Sequence, residues 1–363
     1  MIDHFTITVD GKPVAAKPGE TVVRACEREG IHIPTLCDDK RLDPAGACRA
    51  CLVEVDGQRR LQPSCAWKAT PGQVVKTHVT SPRVQRHQDV LVSLYMADHK
   101  LDAEGLPVET ENRNELRRWA LDTNPIALES VEAPRVARAG DTNPYIQYNP
   151  ELCILCARCT RYCDEIEAVN AITLTHRGSE TTIGTAGMRG LLETSCELCG
   201  GCIDTCPTGA LIEKKAIGIL PQQIERKVRT TCNYCGVGCQ MDLNVAKVDG
   251  VEKVVRVTSP PPGETVNDGN LCIKGRFAYD FIHHKDRITE PMIRKADGKL
   301  HAVSWDEALK FAAEGMKRVA QRHGPESMGF ISSARCTGEE NFLMSKVARA
   351  AFKSGNVHSC AAT

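Results

Sequence analysis

Residues 153–165 read CILCARCTRYCDE and residues 196–210 read CELCGGCIDTCPTGA. Both segments follow C-x2-C-x2-C-x3-C, so one pattern occurs twice and the chain contains an internal repeat. Three cysteines on one tight loop can hold three corners of a four-iron cubane, while the fourth, displaced along the following helix, reaches the neighbouring cubane. The spacing therefore predicts one [4Fe-4S] site from Cys153, Cys156, Cys159 and Cys206. It predicts a second from Cys196, Cys199, Cys202 and Cys163. Zinc is the competing metal, and eight cysteines in this order match no common zinc pattern.

Working outward, the composition narrows the setting. The 363 residues hold 46 Lys plus Arg against 46 Asp plus Glu, a balance that suggests neither a nucleic-acid nor a membrane-surface partner. No apolar run is long enough to span a bilayer, and the start, MIDHFTITVDGKPV, has neither an apolar signal core nor a twin arginine. Export is not expected, so the compartment is read as the reducing cytoplasm, where the 19 cysteines should not pair as disulfides. Aromatic residues make up only 4 %, which leaves the core to aliphatics and to whatever the cysteines hold.

Cys37, Cys48, Cys51 and Cys65 form a further set. Around them FTITV runs into Asp10-Gly11 and CLVEV into Asp56-Gly57, both hairpin signals. Between these, ETVVRACEREG reads as one short helix closed by Gly30 at C′. Two hairpins, a helix and a long ligand loop suggest a β-grasp ferredoxin module. The spacing resembles the [2Fe-2S] domain of complex I and of related hydrogenase and formate dehydrogenase subunits, and differs from the plant ferredoxin spacing. A zinc ribbon fits one C-x2-C with two distant cysteines poorly. The repeat described first is similar to bacterial ferredoxins, where proline follows the last cysteine as Pro207 follows Cys206; Asp164 follows Cys163 instead.

The last set is CNYCGVGCQ with LCIKGR: Cys232, Cys235, Cys239 and Cys272. Followed by Ile273-Lys274-Gly275, it resembles the N-terminal [4Fe-4S] domain of molybdopterin-dependent oxidoreductases. That resemblance implies an electron-relay and pterin-side role for Lys274; a lysine without this context would be read as a solvated surface residue. Cys26, Cys336 and Cys360 have no ligand spacing and are expected to be small buried hydrophobes.

Between the first two cysteine-rich regions lies HKLDAEGLPVETEN. Relatives in complex I and several formate dehydrogenases carry a cluster here, held by one histidine and three cysteines. This chain keeps His99 but has Ala103, Leu106 and Asn112 at the cysteine positions, none of which replaces a thiolate on iron. A helix is expected from Arg83 to Ala97, then a charged loop from Leu101 to about Asp122.

The expected fold is α+β and multidomain. It comprises a β-grasp [2Fe-2S] domain at 1–80, a helical connector at 81–145 and a two-cubane ferredoxin-like domain at 146–220. A proximal [4Fe-4S] domain follows at 225–285, with the start of an α/β pterin-binding domain at 286–363, where Ser304 caps the helix of SWDEAL. The whole resembles the catalytic subunit of cytoplasmic formate dehydrogenases with complex-I-like N-terminal domains. That implies formate/carbon dioxide chemistry at Mo or W held by bis-molybdopterin guanine dinucleotide. Three [4Fe-4S] clusters and one [2Fe-2S] cluster would deliver electrons to a flavin/NAD diaphorase, hydrogenase or ferredoxin partner. The rival classes are a non-catalytic relay like the large iron–sulfur subunit of complex I or of a hydrogenase, and a nitrate reductase, which normally lacks the N-terminal array.

At the end of the sequence a strand is expected at Met328–Ser332 and a helix at Glu339–Phe352, with Phe342, Leu343, Val347, Ala350 and Ala351 on its apolar side. The eleven residues that follow leave the helix without a receiving strand. GNVHSCAAT resembles the formate dehydrogenase stretch that precedes the metal-binding cysteine or selenocysteine. The expectation is that Thr363 stands just before a selenocysteine codon.

Overall fold

The computed structural model describes residues 4–128 and 141–360. The chain divides into two compact units, one of residues 1–227, 244–258 and 271–273, the other of 228–243, 259–270 and 274–363.

In the first unit β1 (Phe5–Val9) and β2 (Lys12–Ala16) pair antiparallel across Asp10 (φ 50°) and Gly11 (φ 79°), the left-handed pair a tight hairpin demands. α1 (Val22–Arg28) follows, and Gly30 at φ 73° stops it as expected. β3 (Leu52–Val55) pairs with β4 (Gln62–Pro63) only after a six-residue excursion, so the second hairpin is wider than Asp56-Gly57 alone suggests. β5 (Val74–Lys76) lies parallel to β1 and antiparallel to β3, giving a mixed sheet in the order β2-β1-β5-β3-β4. Ile7, Val9, Val14, Val53 and Val75 bury its inner face against Val22, Val23 and Cys26 of α1. Burial, followed by the nearby Asp10 charge, pushes the Cys26 thiol up to about 12, as suits an inert core residue.

α2 (Pro82–Ala97) starts with Pro82 at its first position and Ser81 accepting the Val84 N–H. The expected loop at 101–122 is corrected by α3 (Glu115–Leu121). Asn114 caps it by accepting the Arg117 N–H at 3.1 Å, and Leu116, Trp119 and Ala120 bury one face. Those three apolar residues stand at helical spacing amid charged neighbours that give the stretch a loop-like composition.

β6 (Ile146–Tyr148) pairs antiparallel with a distant strand, β9 (Leu211–Glu213), closing a domain that holds both repeat segments. Within it α4 (Arg158–Arg161), which continues as a wider helical turn over Tyr162–Ile166, packs against α5 (Gly201–Thr205). The hairpin β7 (Thr173–Thr175) and β8 (Thr182–Gly184) stands between the two segments in sequence. β10 (Arg226–Thr231), β11 (Gln240–Val248) and β12 (Val251–Thr258) form a three-stranded sheet in chain order, with Asp249 and Gly250 at positive φ between the last two.

The second unit continues with α6 (Ile273–Phe277, whose first residue belongs to the first unit) and a hairpin of β13 (Met292–Arg294) and β14 (Leu300–Ala302). In α7 (Trp305–His323) Ser304 accepts the Glu307 N–H at 3.2 Å. β15 (Phe330–Ser333), α8 (Gly338–Lys346, extended by a wider turn to Ala351) and β16 (Val357–Cys360) complete a parallel β-α-β unit. This corrects the expectation that no receiving strand fits after Phe352: Val357–Cys360 pairs with Phe330–Ser333 residue for residue. The expected apolar face is corrected too. Phe342, Leu343 and Val347 are exposed, and Ala348 faces Met328 and Phe330 instead. Cys336 is exposed rather than a buried hydrophobe, because it lies in the loop between β15 and α8; the side chain of Cys360 lies outside the described residues. Among the described residues no helix is long and apolar enough to cross a membrane.

Candidate metal centres

Cys37, Cys48, Cys51 and Cys65 are all buried. Their sulfurs meet: hydrogen bonds from Cys48 and Cys65 hold the Cys37 thiol down to about 2, and one from Cys65 lowers Cys51. The same bonds push the Cys48 and Cys65 thiols up. The Cys48 N–H also donates to Cys37 Sγ at 3.4 Å, and Arg49 at φ 63° bends the chain between Cys48 and Cys51. The four side chains divide between two apolar clusters. Cys51 and Cys65 join the sheet core, while Cys37 and Cys48 pack with Leu36, Val92, Leu116, Trp119 and Ile154. Cys156 packs against that second cluster, so the first ligand loop and the first repeat segment share one apolar region.

The two repeat segments line two small apolar cavities. One is bounded by Cys153, Cys156, Cys159 and Cys206, together with Tyr148, Ile154, Ile183 and Pro207. The other takes Cys163, Cys196, Cys199 and Cys202, with Cys159 also at its wall beside Tyr162, Ile172 and Leu191. Each segment thus contributes three cysteines to one cavity and its fourth to the other. The backbone repeats as well. Leu155 and Leu198 have φ 55° and 54°, and the residues after the second cysteines, Ala157 and Gly200, have φ 58° and 74°. These left-handed turns aim amides inward. The Leu155 N–H donates to Cys153 Sγ, Leu198 N–H to Cys196 Sγ and Gly201 N–H to Cys199 Sγ, each at 3.4 Å, and Ala171 N–H to Cys163 Sγ at 3.2 Å.

This donor set fits iron–sulfur clusters. Burial, then the Cys206 charge, pushes the Cys156 thiol up to about 12, and burial likewise holds the Cys159 thiol well above the usual range. A bare thiolate is disfavoured there and a cationic iron core becomes its natural partner. Among the described residues no three His, Cys, Asp or Glu side chains are placed to hold a single metal ion. In a cubane each thiolate ligates its own iron, so the sulfurs need not converge on one point.

In the second unit Cys232 is buried and Cys235 and Cys239 are half-buried, with the Cys232 N–H donating to the Cys239 carbonyl at 2.7 Å. Cys272 is exposed and belongs to the first unit. Lys274 is exposed on α6, its carbonyl accepting the Ala278 N–H.

His99 is buried, its Nδ1 2.9 Å from the Lys100 carbonyl. Asp102 turns the loop after it by accepting the Glu104 and Leu106 N–H groups, each at 3.0 Å. Asn112 donates to the Ile203 carbonyl at 2.8 Å, so one of the three positions that lack a cysteine now ties this segment to α5. Sequence reading passed over Arg158, Arg161 and Tyr162, which lie among the cysteines; the signal was the absence of such side chains from the second repeat segment.

Residues 3–80 match the 2Fe-2S iron-sulfur cluster binding domain, and 143–212 the ferredoxin-like domain of NADH-quinone oxidoreductase subunit 3. Residues 225–284 match the molybdopterin oxidoreductase Fe4S4 domain, and 287–363 the molybdopterin oxidoreductase family. The chain is 35 % identical to an NADH-quinone oxidoreductase subunit of Rhizobium meliloti over 97 % of its own length and 39 % of that protein's. A Staphylococcus aureus protein, named for a conjectured formate dehydrogenase activity, is 27 % identical over 99 % of this chain and 39 % of its own length. The chain therefore spans about two fifths of the length of these relatives. Among solved structures, the NAD+-reducing [NiFe]-hydrogenase in its H2-reduced state is similar at TM-score 0.52 and 29 % identity, over 60 % of this chain and 90 % of that one.

Proposed function

We propose that this chain, an electron-transfer iron–sulfur module of the molybdopterin oxidoreductase family with iron–sulfur domains like those of NADH-quinone oxidoreductase, carries electrons between a pterin site and a partner subunit. The observation that carries the reading is the pair of apolar cavities with crossed cysteine sets. In this reading Cys37, Cys48, Cys51 and Cys65 hold a [2Fe-2S] cluster. The two crossed sets hold two [4Fe-4S] clusters, and Cys232, Cys235, Cys239 and Cys272 hold a third. Such clusters supply one-electron storage whose potential follows burial and hydrogen bonds to sulfur. The chain's own part is to exclude water, to aim amide N–H groups at the thiolates and to fix the distances between sites. Lys274 is the residue assigned to the pterin side, where an ammonium can hydrogen-bond to the cofactor.

The substrate proposed is formate, oxidised to carbon dioxide or formed from it at Mo or W on a bis-pterin guanine dinucleotide. The stretch SARCTGEEN at 333–341 and the Staphylococcus relative support it. The acceptor proposed is a flavin/NAD subunit in the cytoplasm. The 35 % identity to an NADH-quinone oxidoreductase subunit favours a second reading, a relay whose pterin domain does no chemistry. Anaerobic purification with iron and sulfide assay should give about 14 irons per chain, and far fewer would overturn the ligation. Formate-dependent reduction of the clusters in the native complex separates the two readings: bleaching by formate supports the first. Bleaching by NADH alone supports the relay.

A further inference from the structure

Arg158, Arg161 and Glu165 lie three and four residues apart, on one side of the helix that opens with α4. In the second repeat segment the corresponding positions are Gly201, Asp204 and Thr208. All three charged side chains end on the backbone of residues 35–43, the loop that carries Cys37. Arg158 Nη2 donates to the Thr35 carbonyl at 3.4 Å. Arg161 donates through Nη1 to the Asp43 carbonyl at 2.6 Å and through Nη2 to the carbonyl of Cys37 itself. Glu165 accepts the Asp43 N–H at 2.8 Å.

The loop grips the second segment in return. Arg41 pairs with Asp204 at 3.3 Å and lies 5.0 Å above the ring of Tyr162, and Thr205 donates to Asp39 at 2.8 Å. Arg158 is buried, its charge met by Glu115 at 3.0 Å, and it also donates to the Thr205 carbonyl. Cubane ligation does not call for these side chains, because the second segment has the same cysteine spacing without them. They are present only in the first segment, the copy whose side chains bind the backbone of the first ligand loop.

We propose that Arg158 and Arg161 are positioning residues that lock the Cys37 loop onto α4 and thereby set electron exchange between the Cys37 site and the Cys153–Cys206 site. A fixed cation beside both sites also favours their reduced, more negative forms. Arg161 holds the main position, since one guanidinium joins the carbonyl of a first-site ligand to a helix whose Cys159 and Cys163 face the two cavities. The inference rests on the ligation proposed above.

The test uses the full cluster-loaded chain with Arg161→Gln, Arg161→Lys and, as control, Arg226→Gln, an exposed residue paired with Glu252 at 3.0 Å. Iron and sulfide are counted first; a wild-type count far below about 14 irons overturns the ligation, and this inference with it. With the full count, paramagnetic resonance is used to follow the [2Fe-2S] midpoint potential and its magnetic coupling to the neighbouring cubane. Arg161→Gln should make reduction of the [2Fe-2S] site about tenfold less favourable, equivalent to about 59 mV for one electron, and should weaken the coupling. Arg161→Lys should restore the potential but not the full coupling, and Arg226→Gln should change neither. Unchanged potential and coupling in Arg161→Gln would overturn the proposal. If that variant sheds its [2Fe-2S] cluster, coupling in Arg161→Lys equal to wild type overturns it instead.

Discussion

After its second cysteine the first repeat segment has Ala157 at φ 58°, and the second has Gly200 at φ 74°. One position further on, the first carries the buried Arg158, while the second carries Gly201, pressed so closely by the Tyr162 ring that a Cβ would lie 2.0 Å from Cε1. The cysteine spacing is identical, and so is the left-handed backbone. What differs is how each segment meets its surroundings. The first sends Arg158, Arg161 and Glu165 onto the backbone of the 35–43 loop. The second receives that loop's side chains at Asp204 and Thr205 and presses Gly201 against the Tyr162 ring of its twin. The repeat therefore shows which residues serve cluster ligation in both copies and which serve the neighbourhood of only one.

The crossed ligand sets can be broken directly. Cys206→Ala should cost about four irons, and adding Cys153→Ala should cost no more, since both would serve one cubane. Adding Cys196→Ala instead should cost about eight. Iron counts in the reverse order would mean that each segment ligates its own cluster.

A smaller effect is expected from Glu115→Ala, which leaves the Arg158 guanidinium buried without its carboxylate and should destabilise by about 3 kcal/mol. Arg118→Ala, on the exposed side of the same helix, should stay within about 0.5 kcal/mol by urea denaturation. Gly201→Ala should cost about 2 kcal/mol, because the buried Tyr162 ring has little room to retreat. A denaturation midpoint like that of wild type would show that the tight approach is relieved cheaply.

Asp39 adds a pH dependence. Burial works against its charge, but hydrogen bonds and attraction from Arg41 prevail and hold the carboxyl below the usual range. A depressed folded-state value gives stability that is present above the unfolded pKa of about 3.9 and lost as pH falls through the folded one. Asp39→Asn should therefore cost about 1.5 kcal/mol at neutral pH, with the gap to wild type closing below about pH 4. A gap that stays constant through acid would remove the ion pair from the account. The smallest effect sharpens the comparison most finely. Ala157→Gly should stabilise by about 0.5 kcal/mol, strain relieved at positive φ exceeding the entropy that glycine loses. The reverse change, Gly200→Ala, should destabilise by a similar amount.

Much of this was legible in the sequence because it is local. The hairpin at Asp10-Gly11, the stop at Gly30, the cap at Ser304 and the short cysteine spacings within each motif depend on residues a few positions apart. Their geometry is set by backbone sterics and short hydrogen bonds. The tertiary structure alone decided that Arg158, Arg161 and Glu165 reach a loop more than a hundred residues away. It also decided that Ala348 rather than Phe342 faces the core, and that Val357–Cys360 returns beside Phe330–Ser333. Such choices turn on which surfaces exclude water together. Apolar burial and the pairing of buried charges are properties of an assembled neighbourhood, and a single stretch of chain does not carry them.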